Sequence, residues 1–307
     1  MGMPFFKIRR INMTKEFKAS LSLLFVTVVW GGSFPIMSKG IKFVGVYTFL
    51  TFRFLLAAAI LLIFCFNRFN KINKATIKAG IIIGLAMFIG SVLQTEGLLY
   101  TSPSKSGFVT GLNVVMVPII IAIRKMKLPD IYTIMGVILS VIGLSLISLN
   151  GDFSFNYGDF LTMLCALAFA MQIIWIDKYA QNIDPLLLTL IEFLVIGILS
   201  LVPAVAMEKI QFTPNSFSIW AILYTSIFSS ILAYGVQNKM QPFVSPSNAA
   251  IIYLAEPVFG AIFSVFVGDI ITLRVLIGCV IIFLSMIVVN YKNIMQNKNI
   301  DKIQILN

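Results

Sequence analysis

Apolar runs of about 20 residues recur along the whole chain, and each is long enough to cross a bilayer as a helix. Only 11% of the 307 residues are charged, against about 25% in a typical soluble domain. Because a bilayer core offers no water to backbone groups, helices are the expected spanning structure. The sequence therefore predicts an all-α membrane protein with ten transmembrane helices and no soluble domain. The predicted spans cover residues 19–38, 45–66, 77–100, 104–124, 130–149, 157–178, 184–206, 217–239, 246–268 and 271–291.

The positions of lysine and arginine predict how these spans are oriented. Basic residues concentrate in an N-terminal tail (1–18), in the loops after spans 2 and 4, and in a C-terminal tail (293–307). Cytoplasmic loops carry this excess, so both termini are expected in the cytoplasm of a multi-pass protein of the cytoplasmic membrane. The first apolar run lacks a small-residue cleavage site, which favours a retained first span over a signal peptide. Met13 is an alternative start to Met1.

Residue types that are missing or scarce argue against several kinds of chemistry. The chain has no histidine, and its three cysteines (Cys65, Cys165 and Cys279) fall inside predicted spans, where they are expected to be small buried hydrophobes. No GxxxxGK phosphate loop is present, and no soluble basic face exists for a nucleic acid. We therefore expect no metal, no cofactor, no nucleic-acid partner and no enzymatic activity.

The second half of the sequence repeats the first half at a spacing of 139 to 143 residues. SPSKSGFVTGLNVVMVP (102–118) is echoed by SPSNAAIIYLAEPVFG (245–260), and Arg53 aligns with Glu192. Two units of five spans, 19–150 and 151–292, follow from this spacing. Five is odd, so the second unit enters the membrane from the opposite side. Inverted repeats of this kind build a site near the bilayer midplane that opens alternately to either side.

Glu256 is the most informative single residue, because it lies about ten residues into span 9 and a charge at that depth is costly. It could bind a cationic group, carry a proton or form a structural hydrogen bond to a neighbouring helix. Its equivalent in the first repeat is the apolar Val117. The adjacent Pro257, and Pro118 in the first repeat, are expected to kink their helices. The carbonyls they free could line a cavity, or the kinks could serve packing alone.

Other polar and aromatic residues within the spans are candidates for the same site. Arg53 and Glu192 lie at similar depths, about eight residues into their helices, so an ion pair between them is predicted, with a role in coupling left open. Trp30, in the WGGSFP stretch, could stack on a substrate or serve helix packing. The full set expected around Glu256 is Trp30, Gln94, Asn113, Gln237, Asn248 and Tyr253.

Four stretches resemble the drug/metabolite transporter superfamily, of the type with two EamA domains. They are WGGSFP in span 1, RFLLAA in span 2, KSGFVTGLNVVMVP in span 4 and LAEPVFGAIFSVFVG in span 9, and the resemblance covers residues 19–292. It implies a permease of the cytoplasmic membrane, often an exporter, for amino acids, nucleosides, drugs or other small metabolites. It also implies a central cavity surrounded by spans 1–4 and 6–9, with spans 5 and 10 at the periphery. Glu192 departs from the less charged residue expected at its position.

The expected function is secondary transport by alternating access, with a small-molecule substrate, the lipid bilayer, and a proton or counter-substrate as partners. A channel, or a non-transporting sensor or assembly subunit, remains the alternative, and an intramembrane enzyme is less favoured because no catalytic cluster is present. The sequence leaves open the substrate, the direction, the coupling ion and the oligomeric state.

Overall fold

A computed structural model describes residues 13–148, 155–208, 215–265 and 272–305, and within these ranges the chain is helical with no strand. In these ranges nine helical stretches, some of more than one segment, are long and apolar enough to cross a bilayer, and a shorter apolar segment, Leu273–Val289, corresponds to the tenth predicted span. The prediction of an all-α membrane protein is confirmed. The predicted boundary at 150/151 and the part of the N-terminal tail before Met13 lie outside the described residues.

Several spans consist of more than one helical segment. The helices are α1 (Met13–Val44), α2 (Val46–Cys65), α3 (Lys74–Gly97), α4 (Pro103–Gly111), α5 (Asn113–Lys125), α6 (Ile131–Ser148), α7 (Tyr157–Tyr179), α8 (Pro185–Ala206), α9 (Ser216–Tyr224), α10 (Ala233–Met240), α11 (Pro246–Tyr253), α12 (Ala255–Ser264) and α13 (Leu273–Ile305). A π-helix at Thr225–Leu232, here called the π segment, joins α9 to α10. Short 3₁₀ turns occupy Phe66–Lys71 and Gln241–Phe243.

Spans 4 and 9 start and break in the same way, as the repeat predicts. The Ser102 and Ser245 hydroxyls each accept a hydrogen bond from the backbone N–H three residues later, and proline follows at the first helical position. Each span is then interrupted, at Leu112 (φ −63°, ψ −8°) and at Leu254 (φ −66°, ψ −9°). The interruption precedes proline in both copies. Pro118 lies within α5, and Pro257 lies in the first turn of α12.

Helix packing follows the inverted repeat. Helix α1 packs against α12 and α10, while its equivalent α7 packs against the corresponding helices of the first repeat, α4, α5 and α3. The equivalent helices α2 and α8 pack directly against each other. Large apolar side chains that are exposed on the outside, such as Ile63 and Phe64, provide the surface that faces lipid.

Helices α2 and α8 are fastened to each other at both ends by a carboxylate. At one end Asp184 caps the N-terminus of α8 and binds Arg68, which follows α2, at 2.8 Å. At the other end Glu208, which follows α8, accepts hydrogen bonds from the backbone N–H groups of Tyr47 (3.0 Å) and Thr48 (2.7 Å) at the start of α2. A carboxylate therefore meets the positive end of each helix dipole. Asp184 caps its own helix, α8, whereas Glu208 extends from the end of α8 to the start of α2.

Spans 5 and 10 form a separate pair, α6 with α13. Gly143 and Gly278 lie so close that a Cβ on either would come within 2.8 Å of the other's carbonyl oxygen. Ser140 donates a hydrogen bond to Ser285 at 2.9 Å across the same contact. Small residues that let two backbones approach closely are a usual way to associate helices in a membrane.

Candidate functional site

A cavity lies among the helices of both repeats. Its lining combines aromatic, hydroxyl and amide side chains with one base and one acid: Trp30, Ser33, Phe34, Met37, Arg53, Ser91, Gln94, Thr95, Thr110, Asn113, Phe169, Gln172, Ile173, Ser229, Tyr234, Gln237, Tyr253 and Glu256. In the part of the chain that the structure describes, spans 5, 7 and 10 contribute none of these residues. The resemblance implied the peripheral place of spans 5 and 10; the absence of span 7 from the lining differs from it.

Three aromatic rings form one wall of the cavity. The Trp30 ring lies 5.1 Å from that of Tyr234 and 5.6 Å from that of Tyr253, with tilts of 53° and 55°. The Trp30 indole N–H donates to the carbonyl oxygen of Ser229 in the π segment at 3.1 Å. This bond fixes the indole, so the wall presents a rigid aromatic surface.

Glu256 faces the cavity from the first turn of α12, where the helix dipole favours a negative charge. Its carboxylate has no hydrogen-bond or ion-pair partner among the described residues. The backbone from Glu256 to Gly260 is held close to α1, because a Cβ built on Gly31 would lie 2.7 Å from the Glu256 carbonyl oxygen and 2.8 Å from the Gly260 nitrogen. Gly31, the first glycine of WGGSFP, is therefore required for the close approach of α1 and α12.

A hydrogen-bonded group around Gln241 includes two of the lining residues, Gln237 and Tyr253. The Gln241 Oε1 atom accepts from Tyr253 Oη at 2.9 Å and from Gln237 Nε2 at 3.1 Å. Gln241 Nε2 donates to the carbonyl oxygen of Ile173 on α7 at 2.7 Å. Because Gln241 is fully buried, these bonds tie α7, α10 and α11 together.

Three buried amide atoms in the lining make no hydrogen bond within the described part of the protein: Asn113 Oδ1, Gln172 Nε2 and Gln237 Oε1. Gln94 makes only a long contact of 3.4 Å from its Nε2 to Thr110 Oγ1. Buried polar atoms without partners are costly, so each of these is available to a bound ligand or to water. Together with Glu256 they supply both donors and acceptors.

Arg53 is held in the lining by the π segment. Its Nε donates to Ser230 Oγ at 2.9 Å and its Nη2 to Ser229 Oγ at 3.1 Å, while Ser226 Oγ donates to the Arg53 carbonyl oxygen at 2.9 Å. The guanidinium also lies 4.9 Å from the centre of the Phe54 ring. The serines of the π segment thus fix the orientation of the only arginine among the lining residues.

The predicted ion pair between Arg53 and Glu192 is wrong. Both residues are described, and no contact within 4 Å joins their charged groups. Glu192 is fully buried outside the cavity, where its Oε2 accepts from Asn238 Nδ2 at 2.7 Å. Equal depth along two helices does not make two side chains point toward each other, and here each turns to a different part of span 8.

The structure places the other predicted residues as follows. Trp30, Gln94, Asn113, Gln237, Tyr253 and Glu256 line the cavity, whereas Asn248 does not. Asn248 lies in the first turn of α11, where its backbone N–H donates to Ser245 Oγ at 3.3 Å. Sequence reasoning missed Tyr234 and Ser229. The serine-rich stretch TSIFSS (225–230) was the one signal that could have indicated a polar surface there.

The arrangement can bind a small molecule but offers no centre for metal chemistry. Among the described residues no group of three or more His, Cys, Asp or Glu side chains could hold a metal ion. A mostly apolar pocket with a few convergent polar groups is the usual form of a small-molecule site. A bundle of inverted repeats around such a cavity defines the class of multi-pass membrane transporters.

Comparison with known proteins gives the particular family. The EamA-like transporter family matches the chain twice, over residues 17–149 and 156–291. The chain belongs to this family, and the protein is a membrane transporter. The family points to a non-enzymatic protein whose partners are a small-molecule substrate and the lipid bilayer.

Curated relatives agree with this assignment, and a solved structure agrees with the fold. An uncharacterized transporter of Archaeoglobus fulgidus is 33% identical over 279 residues, which is 91% of this chain and 87% of that protein. The uncharacterized transporter YoaV of Bacillus subtilis is 22% identical over 274 residues, covering 86% of this chain and 94% of the relative. One solved structure superposes with a TM-score of 0.76 at 15% identity, covering 89% of this chain and 98% of the other, which shows the fold alone.

Proposed function

We propose that this protein is a secondary transporter of the cytoplasmic membrane that exports a small organic metabolite by alternating access around the cavity at Glu256. The observation that carries the proposal is the Glu256 carboxylate, which faces the cavity without a partner in the described part of the protein. A charge within a span that the protein does not neutralise is available for a cationic group or a proton.

The rest of the lining favours a substrate with both an apolar part and polar groups. The Trp30, Tyr234 and Tyr253 rings offer a stacking surface, and an aromatic surface beside a carboxylate suits an ammonium group. Arg53, in the same lining, offers a site for an anionic group. Amino acids, which carry both charges, therefore head the substrates to be tested, followed by nucleosides and cationic amphiphilic drugs.

The contacts between the repeats support alternating access. Two ion pairs between the repeats lie toward the ends of the spans, Arg68–Asp184 and Lys105–Asp159, both at 2.8 Å. The inverted repeat supplies two related arrangements of the same helices, and rocking of one repeat against the other exposes the cavity to either side.

Counterflow in proteoliposomes tests the proposal. Purified protein is reconstituted, preloaded with each unlabelled member of a panel of amino acids, nucleosides and cationic drugs, and presented with the labelled form. We expect saturable counterflow of at least one compound and a fall of about 10- to 100-fold with Glu256→Gln, from the loss of one charge-assisted hydrogen bond of about 1.5–3 kcal/mol. Glu96→Gln is the matched control, because that carboxylate binds Tyr47 and does not line the cavity.

Three results would contradict the proposal. Non-saturable flux without counterflow would indicate a channel, and no flux of any panel member would favour a sensor or assembly subunit. Counterflow in Glu256→Gln equal to that of the wild type at every pH would show that the Glu256 charge has no transport role. Export, as opposed to uptake, is measured with everted membrane vesicles, in which an exporter accumulates its substrate.

The proposed orientation has its own test. Single cysteines at Asn12→Cys and Asn297→Cys, on a background without the three native cysteines, are exposed to a membrane-impermeant thiol reagent applied to intact cells. With both termini in the cytoplasm, neither cysteine reacts until the cells are permeabilised. Labelling of either one from outside would contradict this orientation.

A further inference from the structure

A second acidic site lies behind the wall of the cavity, between α8 and α10. Glu192 is fully buried and Asn238 is 1% exposed. The Asn238 amide nitrogen donates to Glu192 Oε2 at 2.7 Å and to Thr189 Oγ1 at 2.9 Å. Two oxygens beside these bonds, Glu192 Oε1 and Asn238 Oδ1, are buried and have no hydrogen-bond partner in the described protein.

Among the residues that the structure describes, no positive charge from the surrounding helices compensates Glu192. Helix α3 presents the Gly84 backbone, where an added Cβ would lie 3.1 Å from the Glu192 Cα. Helix α2 carries Arg53, whose guanidinium is bound to the π segment. Helix α10 presents Asn238 and Tyr234, while its Lys239 is exposed.

The set of partners fits a proton better than a metal cation. A sodium or other hard cation needs several oxygen ligands, but only two oxygens here lack a partner, and an amide N–H already points at the carboxylate. A single hydrogen on Glu192 removes the uncompensated charge. A buried carboxylate without a counter-charge ordinarily resolves its cost in this way.

We propose that Glu192 is a proton-binding site distinct from the substrate cavity, carrying a proton in the conformation described here and releasing it to water when transport opens the α8–α10 contact. This role in transport rests on the proposed function, whereas the bound proton itself does not. The step is a simple acid dissociation: the Glu192 O–H bond breaks, the carboxylate keeps the electron pair, and a water molecule takes the proton.

Helix α10 connects this site to the cavity. Asn238, which binds Glu192, is one residue from Gln237 and one turn from Tyr234, both of which line the cavity. Helix α8 makes a second connection: Phe193 follows Glu192 in sequence, and its ring lies 6.0 Å from that of Tyr234. Loss of the proton would place a bare charge against Asn238 and bias α10 toward a position in which water reaches Glu192. The cavity wall would move with it.

Infrared difference spectroscopy of the purified full-length protein in detergent detects the bound proton without any substrate. The carbonyl stretch of a protonated carboxylic acid is recorded at neutral pH in a Glu256→Gln background, so that Glu256 contributes nothing. We expect a band with the intensity of one carboxyl group, which disappears with Glu192→Gln. Glu208→Gln is the matched control, since that carboxylate lies outside the α8–α10 contact, where it accepts bonds from the start of α2, and its removal should leave the band unchanged.

A second variant covers the case in which Glu192→Gln does not fold. Asn238→Leu removes the amide bound to Glu192 and should shift the band to higher frequency, because the acid group loses a hydrogen bond. A band unchanged by both substitutions, or the absence of any such band, would overturn the inference and indicate an ionised Glu192 that is solvated by water. These outcomes are independent of the proposed function, which fails separately if wild-type counterflow is absent.

Discussion

Two carboxylates within spans of the second repeat, Glu256 and Glu192, have sharply different surroundings. Glu256 faces the cavity and has no protein partner in the described chain, whereas Glu192 is enclosed between α8 and α10 with Asn238 bound to it. Both are far from the ends of their spans. The difference shows that depth in the membrane does not determine what a charged residue does. The direction in which its side chain points decides whether a ligand can reach it.

The equivalent positions of the first repeat also differ in the direction in which their side chains point. Val117, the counterpart of Glu256, is fully buried in an apolar cluster with Ala170 and Ile173. Arg53, the counterpart of Glu192, lines the cavity. Related backbones have thus acquired different charges, and the cavity takes its base from the first repeat and its acid from the second.

The largest effect is expected where the position of Glu256 itself is disturbed. Gly31→Ala would place a methyl group against the backbone of Glu256 and Gly260, which cannot move aside as a side chain can. We expect a loss of about 3 kcal/mol in stability, at the upper end for an overpacked contact. Counterflow should be lost with it. Thermal unfolding in detergent and counterflow are the measurements.

Gly107→Ala is the matched control for that change, because a Cβ at Gly107 meets nothing within 4 Å. It should leave both stability and counterflow close to those of the wild type. Equal stability of the two variants would show that α1 and α12 are not in the close contact described.

A smaller effect is expected at the enclosed carboxylate. Glu192→Leu removes the acceptor of a buried Asn238 amide, and an unsatisfied buried donor costs about 1–3 kcal/mol. Glu192→Gln should cost less, since its amide oxygen can still accept from Asn238. Unfolding in detergent compares the two; a leucine variant as stable as the glutamine variant would argue against the hydrogen bond.

The separation of Arg53 from Glu192 predicts that their substitutions are independent. They share no hydrogen-bond partner, so Arg53→Leu combined with Glu192→Leu should show losses of stability that add within about 0.5 kcal/mol. A double-mutant cycle on unfolding free energies measures the coupling. Recovery of stability in the double variant would instead support the ion pair between Arg53 and Glu192 that the sequence predicted.

The smallest effect is expected at the N-terminus of α8, where the Asp184 carboxylate is paired with the partly exposed Arg68. Burial acts to raise the pKa of the Asp184 carboxyl, but hydrogen bonds from Arg68 and from the Leu186 and Leu187 backbone hold that pKa below its usual range. A carboxyl with a lowered pKa stabilises the fold at neutral pH, and the stabilisation is lost as the pH falls through that lowered value.

Arg68→Gln should therefore cost no more than about 1 kcal/mol at neutral pH, as for other exposed ion pairs, and the difference from the wild type should vanish in acid. Unfolding measured across an acidic pH series tests this. A difference that grows toward low pH would contradict the assigned pairing.

Much of the fold could be predicted from the sequence because it is encoded in the length of apolar runs and in the spacing of repeated motifs. Apolar length gave the spans, and the spacing of Ser102-Pro103 from Ser245-Pro246 gave the repeat. Trp30 and Gln94 stood out as large or polar residues within apolar helices, and the structure places both at the cavity. These inferences needed only residue type and position along a helix.

Inferences that needed the direction of a side chain failed. Asn248 is polar and within a span, but it starts α11 beside the Ser245 cap and does not reach the cavity. Tyr234 looked like an ordinary aromatic residue, because its role depends on its contact with Trp30 across 204 positions of sequence. The π segment, which turns Ser229 and Ser230 toward Arg53, has no simple sequence signature.

Labelling with a membrane-permeant carbodiimide, followed by peptide mass spectrometry, tests most directly whether Glu256 is the carboxylate that meets the substrate. The reagent modifies carboxyl groups in apolar surroundings, and the metabolite with the largest wild-type counterflow is added as a protectant. We expect modification of Glu256 that falls as the metabolite is added, with no such protection at Glu192. Protection of Glu192 alone, or modification of Glu256 that the metabolite does not reduce, would contradict it.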